Sequence, residues 1–183
     1  MDYGESSYRR FLDGDEKAFE EIVLTYRDGL TFFINRYVHE LSIAEELAID
    51  VFADVAAHPS RYNFKTSVKT YLYMLGKSRS IDYLRRERRM MKVSLEEAKE
   101  WLADEVLLED SVLADEKKKI LHNAIKQLPR DMQTVVHLLY FEEFSYEEAA
   151  RVMGKNRKQI SNLTYRAKVI LRTILGKEGE ECL

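Results

Sequence analysis

The chain has little of what β structure, disulfide frameworks or membrane spans require. Among its 183 residues are one cysteine, two prolines and seven glycines. The single cysteine, Cys182, makes no disulfide framework and predicts a reducing, cytoplasmic setting. Because Pro and Gly are scarce, few strand-ending turns are expected and long helices are favoured. No run approaches the roughly 18 apolar residues of a membrane helix, and no basic-then-apolar signal segment opens the chain. We therefore expect a cytoplasmic protein without membrane insertion.

The residue types of common catalytic and metal sites are scattered. The histidines fall in different segments, without His-Glu-x-x-His spacing. The sequence has no Cys-x-x-Cys pair and no glycine-rich phosphate loop. Each histidine is more typical of a structural or exposed residue than of a metal ligand. The sequence therefore predicts no enzymatic activity, no metal site and no cofactor.

The charges that are present are segregated along the chain, although the net charge is only −3. Residues 1–56 hold thirteen acids and five bases, and residues 65–92 hold nine bases and two acids. Residues 93–116 hold nine acids and one base, and a second basic block follows nearer the C-terminus. Two separate basic blocks in an acidic protein are typical of a chain that contacts a polyanion at two places.

Apolar residues at three- and four-residue spacing predict three amphipathic helices in an N-terminal domain, residues 1–90. The first follows Asp15, the expected N-cap residue, and the second begins at a capping box of Ser42 and Glu45. Pro59 ends the second helix, and the third begins near Ser67. Three helices of this size can enclose a core. Its expected members include Phe19, Ile22, Tyr26, Leu30, Phe33, Ile34, Leu47, Val51, Phe52, Val55, Val68, Tyr71, Leu72, Leu75, Ile81 and Leu84.

Residues 91–115 show no sustained helical period and are acidic, which predicts a flexible linker. Beyond it, four short helices are expected in residues 116–176, with residues 177–183 as a tail. Pro129 stands at the start of the second of these helices, a position that tolerates proline. The first is expected to bury Ile120, Leu121, Ala124, Ile125 and Leu128.

The last two helices have the pattern of a helix-turn-helix. Ser145 and Glu148 form a capping box, and Gly154 ends that helix where a positive φ is favoured. Asn156, with Gln159 three residues later, caps the next helix. Two helices joined by a short turn containing Gly define the motif. The predicted fold class is therefore all-α, with two small helical domains joined by a flexible acidic linker.

The second helix of this motif divides into two faces at about 100° per residue. The apolar face consists of Ile160, Leu163, Ala167, Ile170, Leu171 and Ile174. From Ala149 to Arg172 inclusive there is no acid, but there are seven Lys or Arg. A solvated surface helix, the alternative, usually mixes both signs, whereas a recognition helix combines base-reading side chains with phosphate-holding cations. The pattern favours DNA binding, and the predicted residues are Lys155, Arg157, Lys158, Ser161, Asn162, Tyr165, Arg166, Lys168 and Arg172.

Four segments, taken together, resemble the extracytoplasmic-function (ECF) sigma factors of the sigma-70 family of bacterial RNA polymerase. In chain order they resemble the family's opening, its polymerase-gripping segment, its minus-ten segment and its minus-thirty-five domain. Each motif alone is weak, but four in the family's order and spacing are specific. They are residues 11–19, 44–52, 68–73 with 81–86, and Leu128-Pro129 followed by the helix-turn-helix.

The resemblance implies a transcription initiation factor whose partners are core RNA polymerase, promoter DNA and an anti-sigma factor. It also implies that the loop of residues 59–66 traps a base displaced from the minus-ten element, with Tyr62 or Phe64 as the stacking platform and the other in the core. The implied minus-ten residues are Arg61, Tyr62, Asn63, Phe64, Lys65, Lys69, Tyr73, Lys77, Arg85 and Arg86. The implied polymerase-binding residues are Glu46, Asp50 and Phe52.

Two other functions stay open on the sequence alone. An operator-binding regulator with a C-terminal helix-turn-helix would account for the second basic block but not for the first. A sigma-like adaptor that binds polymerase without opening promoters is suggested by Tyr71, Ser78 and Arg79, which differ from the residues that the family usually carries there.

Overall fold

The computed structural model describes residues 3–94 and 116–176, which fall into two compact units. The described residues are helices and short connections without a strand, so the predicted all-α class is confirmed. Residues 91–94, the first of the predicted linker, continue the last helix of the N-terminal unit through Ser94. The remainder of the linker and the predicted tail lie outside the described residues.

Four α-helices build the N-terminal unit where the sequence predicted three. They are α1 (Tyr3–Leu12), α2 (Glu16–Val38), α3 (Leu41–Ala57) and α4 (Val68–Ser94), with a 3-10 turn at Pro59–Arg61. The long α2 packs against the other three, and the core residues it supplies include Ile22, Leu30, Phe33 and Ile34. The missed helix, α1, has only ten residues, and few of them are apolar.

Close contacts hold α1 on α2. Gly4 lies so near α2 that a Cβ added there would come within 2.5 Å of the Tyr26 hydroxyl. Ser7 Oγ donates a hydrogen bond of 2.9 Å to the Glu21 carboxylate, which also accepts from Arg10. Together the glycine contact and the shared carboxylate fix α1 to the body of the unit.

Two predicted helix starts differ from the structure. Asp15 occupies the N-cap position of α2, but its side chain pairs with Arg10 rather than capping the helix. The hydrogen bond from Arg10 lowers the pKa of the Asp15 carboxyl. The predicted capping box at Ser42 is absent, because α3 already begins at Leu41 and Ser42 Oγ donates to the Glu40 carboxylate.

The C-terminal unit has the four predicted helices. They are α5 (Glu116–Lys126), α6 (Arg130–Val136), which continues into a π-helical turn (His137–Phe141), α7 (Tyr146–Met153) and α8 (Arg157–Leu175). Its core joins α5, α6 and α8, and Ile120, predicted to be buried, is half-exposed instead. The buried residues of that cluster are Ala124, Ile125, Leu128, Met132, Val136, Ala167 and Leu171.

Gly76 on α4 packs closely against α2. A Cβ added there would lie 2.8 Å from Leu30 Cδ1 and 3.2 Å from Ile34 Cγ1, and both neighbours are fully buried. Gly76→Val should therefore destabilise the N-terminal unit by about 1–3 kcal/mol through overpacking. Urea unfolding checks this, with Ser78→Val on the exposed side of the same helix as the control. Equal stabilities of the two variants would contradict the prediction.

Candidate nucleic-acid interface

The helix-turn-helix is held by two reciprocal capping boxes. Ser145 Oγ accepts from the Glu148 N–H at 3.2 Å, and the Glu148 carboxylate accepts from the Ser145 N–H at 2.9 Å. Asn156 and Gln159 repeat this exchange at 2.9 and 2.8 Å. Gly154, with φ of 65°, closes α7 in the left-handed region. These side-chain bonds satisfy backbone groups at the helix starts and so fix the angle at which α8 is presented.

The two faces of α8 are divided as the sequence predicted, except that Ile174, placed on the apolar face, is 37% exposed. Ile160, Ala167 and Leu171 are buried, and the side chains predicted to reach base edges are exposed, with Tyr165 at 70%. The exposed base-reading set is Lys158, Ser161, Asn162 and Tyr165. A shallow depression beside it is lined by Tyr146, Arg157, Lys158 and Ser161. Tyr146, the first residue of α7, was not predicted as part of this surface, because the periodicity of α8 says nothing about residues on another helix.

Some of the cations that flank this face already contact acidic or aromatic side chains. Lys155 Nζ lies 3.0 Å from the Asp131 carboxylate, and Arg157 Nε lies 2.9 Å from that of Glu147. Arg166 and Arg172, also predicted to bind DNA, are exposed. Lys168 Nζ lies over the Tyr140 ring at 5.3 Å. Surface ion pairs contribute about 0–1 kcal/mol each, so the paired cations can exchange their acids for phosphates at small cost.

The predicted minus-ten loop does not present Tyr62 as a stacking platform. Its side chain is 3% exposed, and its hydroxyl donates to the Thr66 carbonyl at 2.6 Å. Its ring contacts those of Tyr8, Phe64 and Tyr71, with centroids 4.7, 4.7 and 5.2 Å away. Of the two aromatic residues left open by the sequence, Tyr62 is therefore the core residue.

Phe64 is half-buried, and its φ of 59° is in the left-handed region, where a bulky residue is strained. Asn63 and Lys65 on either side are exposed. Asn63 Oδ1 accepts from the Lys65 N–H at 3.1 Å, which forms a local turn. Because that bond uses the side-chain carbonyl oxygen of Asn63, its side-chain NH2 group can donate hydrogen bonds to another partner.

Arg61 belongs to a cluster around Asp54 of α3. Its guanidinium lies 3.1 Å from that carboxylate, and Arg79 of α4 lies 3.2 Å from the other oxygen. The His58 imidazole completes the cluster at 3.1 Å. Asp54 therefore ties the start of the loop to both neighbouring helices, and Arg61 would have to share its charge with Asp54 while holding a phosphate.

On α4 the predicted minus-ten residues differ in accessibility. Tyr73 is fully buried against Phe33, so its predicted contact with DNA is wrong for this conformation. Lys69 and Lys77 are half-buried, and Lys69 Nζ lies 5.8 Å from the Tyr73 ring centroid. Arg85 and Arg86 are exposed farther along the helix. Basic side chains thus continue from the loop along α4.

The predicted polymerase-binding residues are split by the fold of α3. Glu46 and Asp50 are exposed, but Phe52 is 5% exposed and belongs to the core, so its predicted contact with a partner is corrected. Exposed apolar side chains that the sequence pattern did not single out include Ile49, at 62%, and Phe32 on α2, at 52%. Both are apolar residues outside the buried, helically spaced face of their helices, and this position could have identified them as exposed.

No group of three or more His, Cys, Asp or Glu able to hold a metal occurs in residues 3–94 and 116–176. Over the same residues, no helix is both long and apolar enough to cross a membrane.

Comparisons with known proteins give one family match in each of the two units. Residues 22–90 match the model of sigma-70 region 2, and residues 118–171 match that of sigma-70 region 4. The chain is 33% identical over 150 residues to the RNA polymerase sigma-H factor of Pseudomonas aeruginosa, covering 76% of this chain and 77% of that protein. It is 25% identical over 167 residues to the ECF sigma factor SigW of Bacillus subtilis, covering 87% and 89% of the two chains.

A similar fold is found in the sigma factor RpoE of Bartonella quintana, solved in complex with the anti-sigma factor NepR. The TM-score is 0.66 at 21% identity, over 88% of this chain and 98% of that one. The chain belongs to the ECF sigma factors of the sigma-70 family. It is a transcription initiation factor that binds core RNA polymerase and directs it to promoters.

Proposed function

We propose that the two units divide promoter recognition between them. Residues 1–90 bind core polymerase and open the minus-ten element, residues 91–115 link the units, and residues 116–176 read the minus-thirty-five element as duplex. The observation that carries this division is the exposed polar and basic face of α8, fixed by two capping boxes. A rigid helix presented in this way suits the major groove.

Within each unit, we assign roles to the predicted residues that the fold leaves accessible. The duplex-reading side chains are Lys158, Ser161, Asn162 and Tyr165, and the phosphate-binding ones are Lys155, Arg157, Arg166, Lys168 and Arg172. The single-strand residues are Arg61, Asn63, Phe64, Lys65, Lys69, Lys77, Arg85 and Arg86. Glu46 and Asp50 face polymerase, and the exposed Ile49 between them adds an apolar contact to that surface.

Run-off transcription with purified core polymerase tests this function. We expect specific transcripts only when this chain and core polymerase are both present. The isolated chain should bind duplex DNA poorly, since its acidic N-terminal segment repels DNA until polymerase covers it. Tight, specific duplex binding by the chain alone would instead indicate an operator-binding regulator. Binding to polymerase without promoter opening would indicate an adaptor.

We also propose regulation by an anti-sigma factor. The support is the fold shared with the Bartonella quintana sigma factor that was solved in complex with one. A chain with this function acts in the cytoplasm, where polymerase is, and contributes binding rather than catalysis.

A further inference from the structure

The accessible face of Phe64 is covered by a residue from outside the loop. The guanidinium carbon of Arg9, on α1, lies 4.2 Å from the centroid of the Phe64 ring. Arg9 Nη2 also donates to the Glu5 carboxylate at 2.8 Å, one turn earlier on α1. Its side chain is still 53% exposed. The guanidinium is therefore held over the ring by an ion pair on its own helix.

Helix α1, which carries Arg9, contacts the loop as well as α2. Tyr8 donates its hydroxyl to the Pro59 carbonyl at 2.9 Å and packs its ring edge-on against Tyr62 and Phe64. Burial raises the pKa of Tyr8 to about 12, so this hydroxyl stays protonated at physiological pH. Arg9 therefore stands at a fixed place beside the loop, although fifty-four positions separate it from Asn63 in sequence.

We propose that Arg9 supplies the surface on which the displaced minus-ten base stacks. This inference rests on the proposed single-strand role of the loop. Tyr62 is buried, and Phe64 is half-buried with Arg9 over its ring, so a base that approaches this face of Phe64 meets the guanidinium first. A guanidinium is planar and weakly hydrated, and bases stack on it much as they do on aromatic rings. The base, Arg9 and Phe64 then form three layers, with the Asn63 amide beside the base.

This arrangement also gives the strand a cation at the stacking point. An aromatic platform alone is neutral, whereas the outer edge of a guanidinium can donate hydrogen bonds to a phosphate or to a base acceptor. Helix α1 lies outside the stretch that matches sigma-70 region 2, because that match begins at residue 22. Neither that match nor the loop sequence therefore points to Arg9.

The alternative is that Arg9 only covers Phe64. Three variants of the full chain, assayed with core polymerase, separate the two roles. Arg9→Ala removes the plane and the charge, and Arg9→Lys keeps the charge but not the plane. Arg27→Ala, on an exposed part of α2, is the control for loss of one positive charge. Each is tested on an intact duplex promoter and on promoters with an abasic site at single non-template positions of the minus-ten element.

On the intact promoter we expect Arg9→Ala to reduce open-complex formation about five- to a hundredfold, the effect of one lost base-stacking contact. Arg9→Lys should lose nearly as much, and Arg27→Ala should match the parental chain. At one abasic position, where no base is left to stack, the parental chain and Arg9→Ala should become equal.

Parental activity in Arg9→Lys would overturn the inference, because charge alone would then suffice. A loss in Arg9→Ala that is the same at every abasic position would also overturn it, since that loss would be structural. In both cases the parental chain still opens the promoter, so the proposed function would stand. Failure of the parental chain to open any promoter would overturn the proposed function and this inference with it.

Discussion

Replacing Lys158 or Asn162 by alanine should relax the choice of sequence in the minus-thirty-five element, at a cost of about 1–3 kcal/mol for each lost base contact. Both side chains are exposed on the outer face of α8, in the N-terminal half of the helix. That half is the part of a recognition helix that reaches base edges in the major groove. A lost contact removes discrimination at one base pair, so affinity should fall for the best promoter and change little for one already mismatched there.

Arg172→Ala is the matched comparison on the same helix. Arg172 is exposed near the C-terminal end of α8, where we assign it to a phosphate. Its loss should weaken binding to all promoters evenly and reduce the slope of log affinity against log salt by about 0.9. The measurement is the affinity of the polymerase complex for a panel of minus-thirty-five variants at several salt concentrations. Identical profiles for Lys158→Ala and Arg172→Ala would show that the face assignment is wrong.

The helix-turn-helix was predictable from sequence because its determinants are local. Each capping box joins residues three positions apart, and Gly154 supplies the positive φ of the turn by itself. The inward face of α8 follows from helical periodicity alone. Ser42 shows the limit of such signals, since the same spacing to Glu45 occurs inside α3 and caps nothing. A local pattern shows where a capping box is possible, but the box forms only if the helix begins directly after the Ser or Asn.

The minus-ten loop was only partly predictable, because its conformation depends on a distant helix. Tyr8 and Pro59 are fifty-one positions apart, yet their hydrogen bond and the packing of Tyr8 on Tyr62 determine which aromatic residue is buried. Since α1 is short and carries few apolar residues, and lies far from the loop in sequence, neither this contact nor Arg9 over Phe64 could be inferred from the loop. The residues 59–66 were identified correctly as a segment, but the side chains available within it depend on tertiary contacts.

Tyr62→Ala should destabilise the N-terminal unit by about 3–5 kcal/mol, the range for removing a buried aromatic side chain. The change removes a ring packed among Tyr8, Phe64 and Tyr71, together with the hydrogen bond to Thr66. Because small domains are stable by about 5–15 kcal/mol, this is a large fraction of the total. Tyr62→Phe keeps the ring and should cost only about 0.5–1.5 kcal/mol, the contribution of one hydrogen bond.

Hydrogen exchange of the full chain measures this loss with an internal reference. Amides of α2 and α4 should exchange faster in Tyr62→Ala, while those of α8, in the other unit, should keep their parental rates. Tyr165→Ala is the control, because that side chain is 70% exposed and its removal should change stability by less than about 0.5 kcal/mol. If Tyr62→Ala is as stable as Tyr165→Ala, then Tyr62 is not the residue that closes the loop. If it is destabilised as expected, a transcription defect in Tyr62→Ala reflects a damaged fold, and base recognition has to be tested at Asn63 and Arg9 instead.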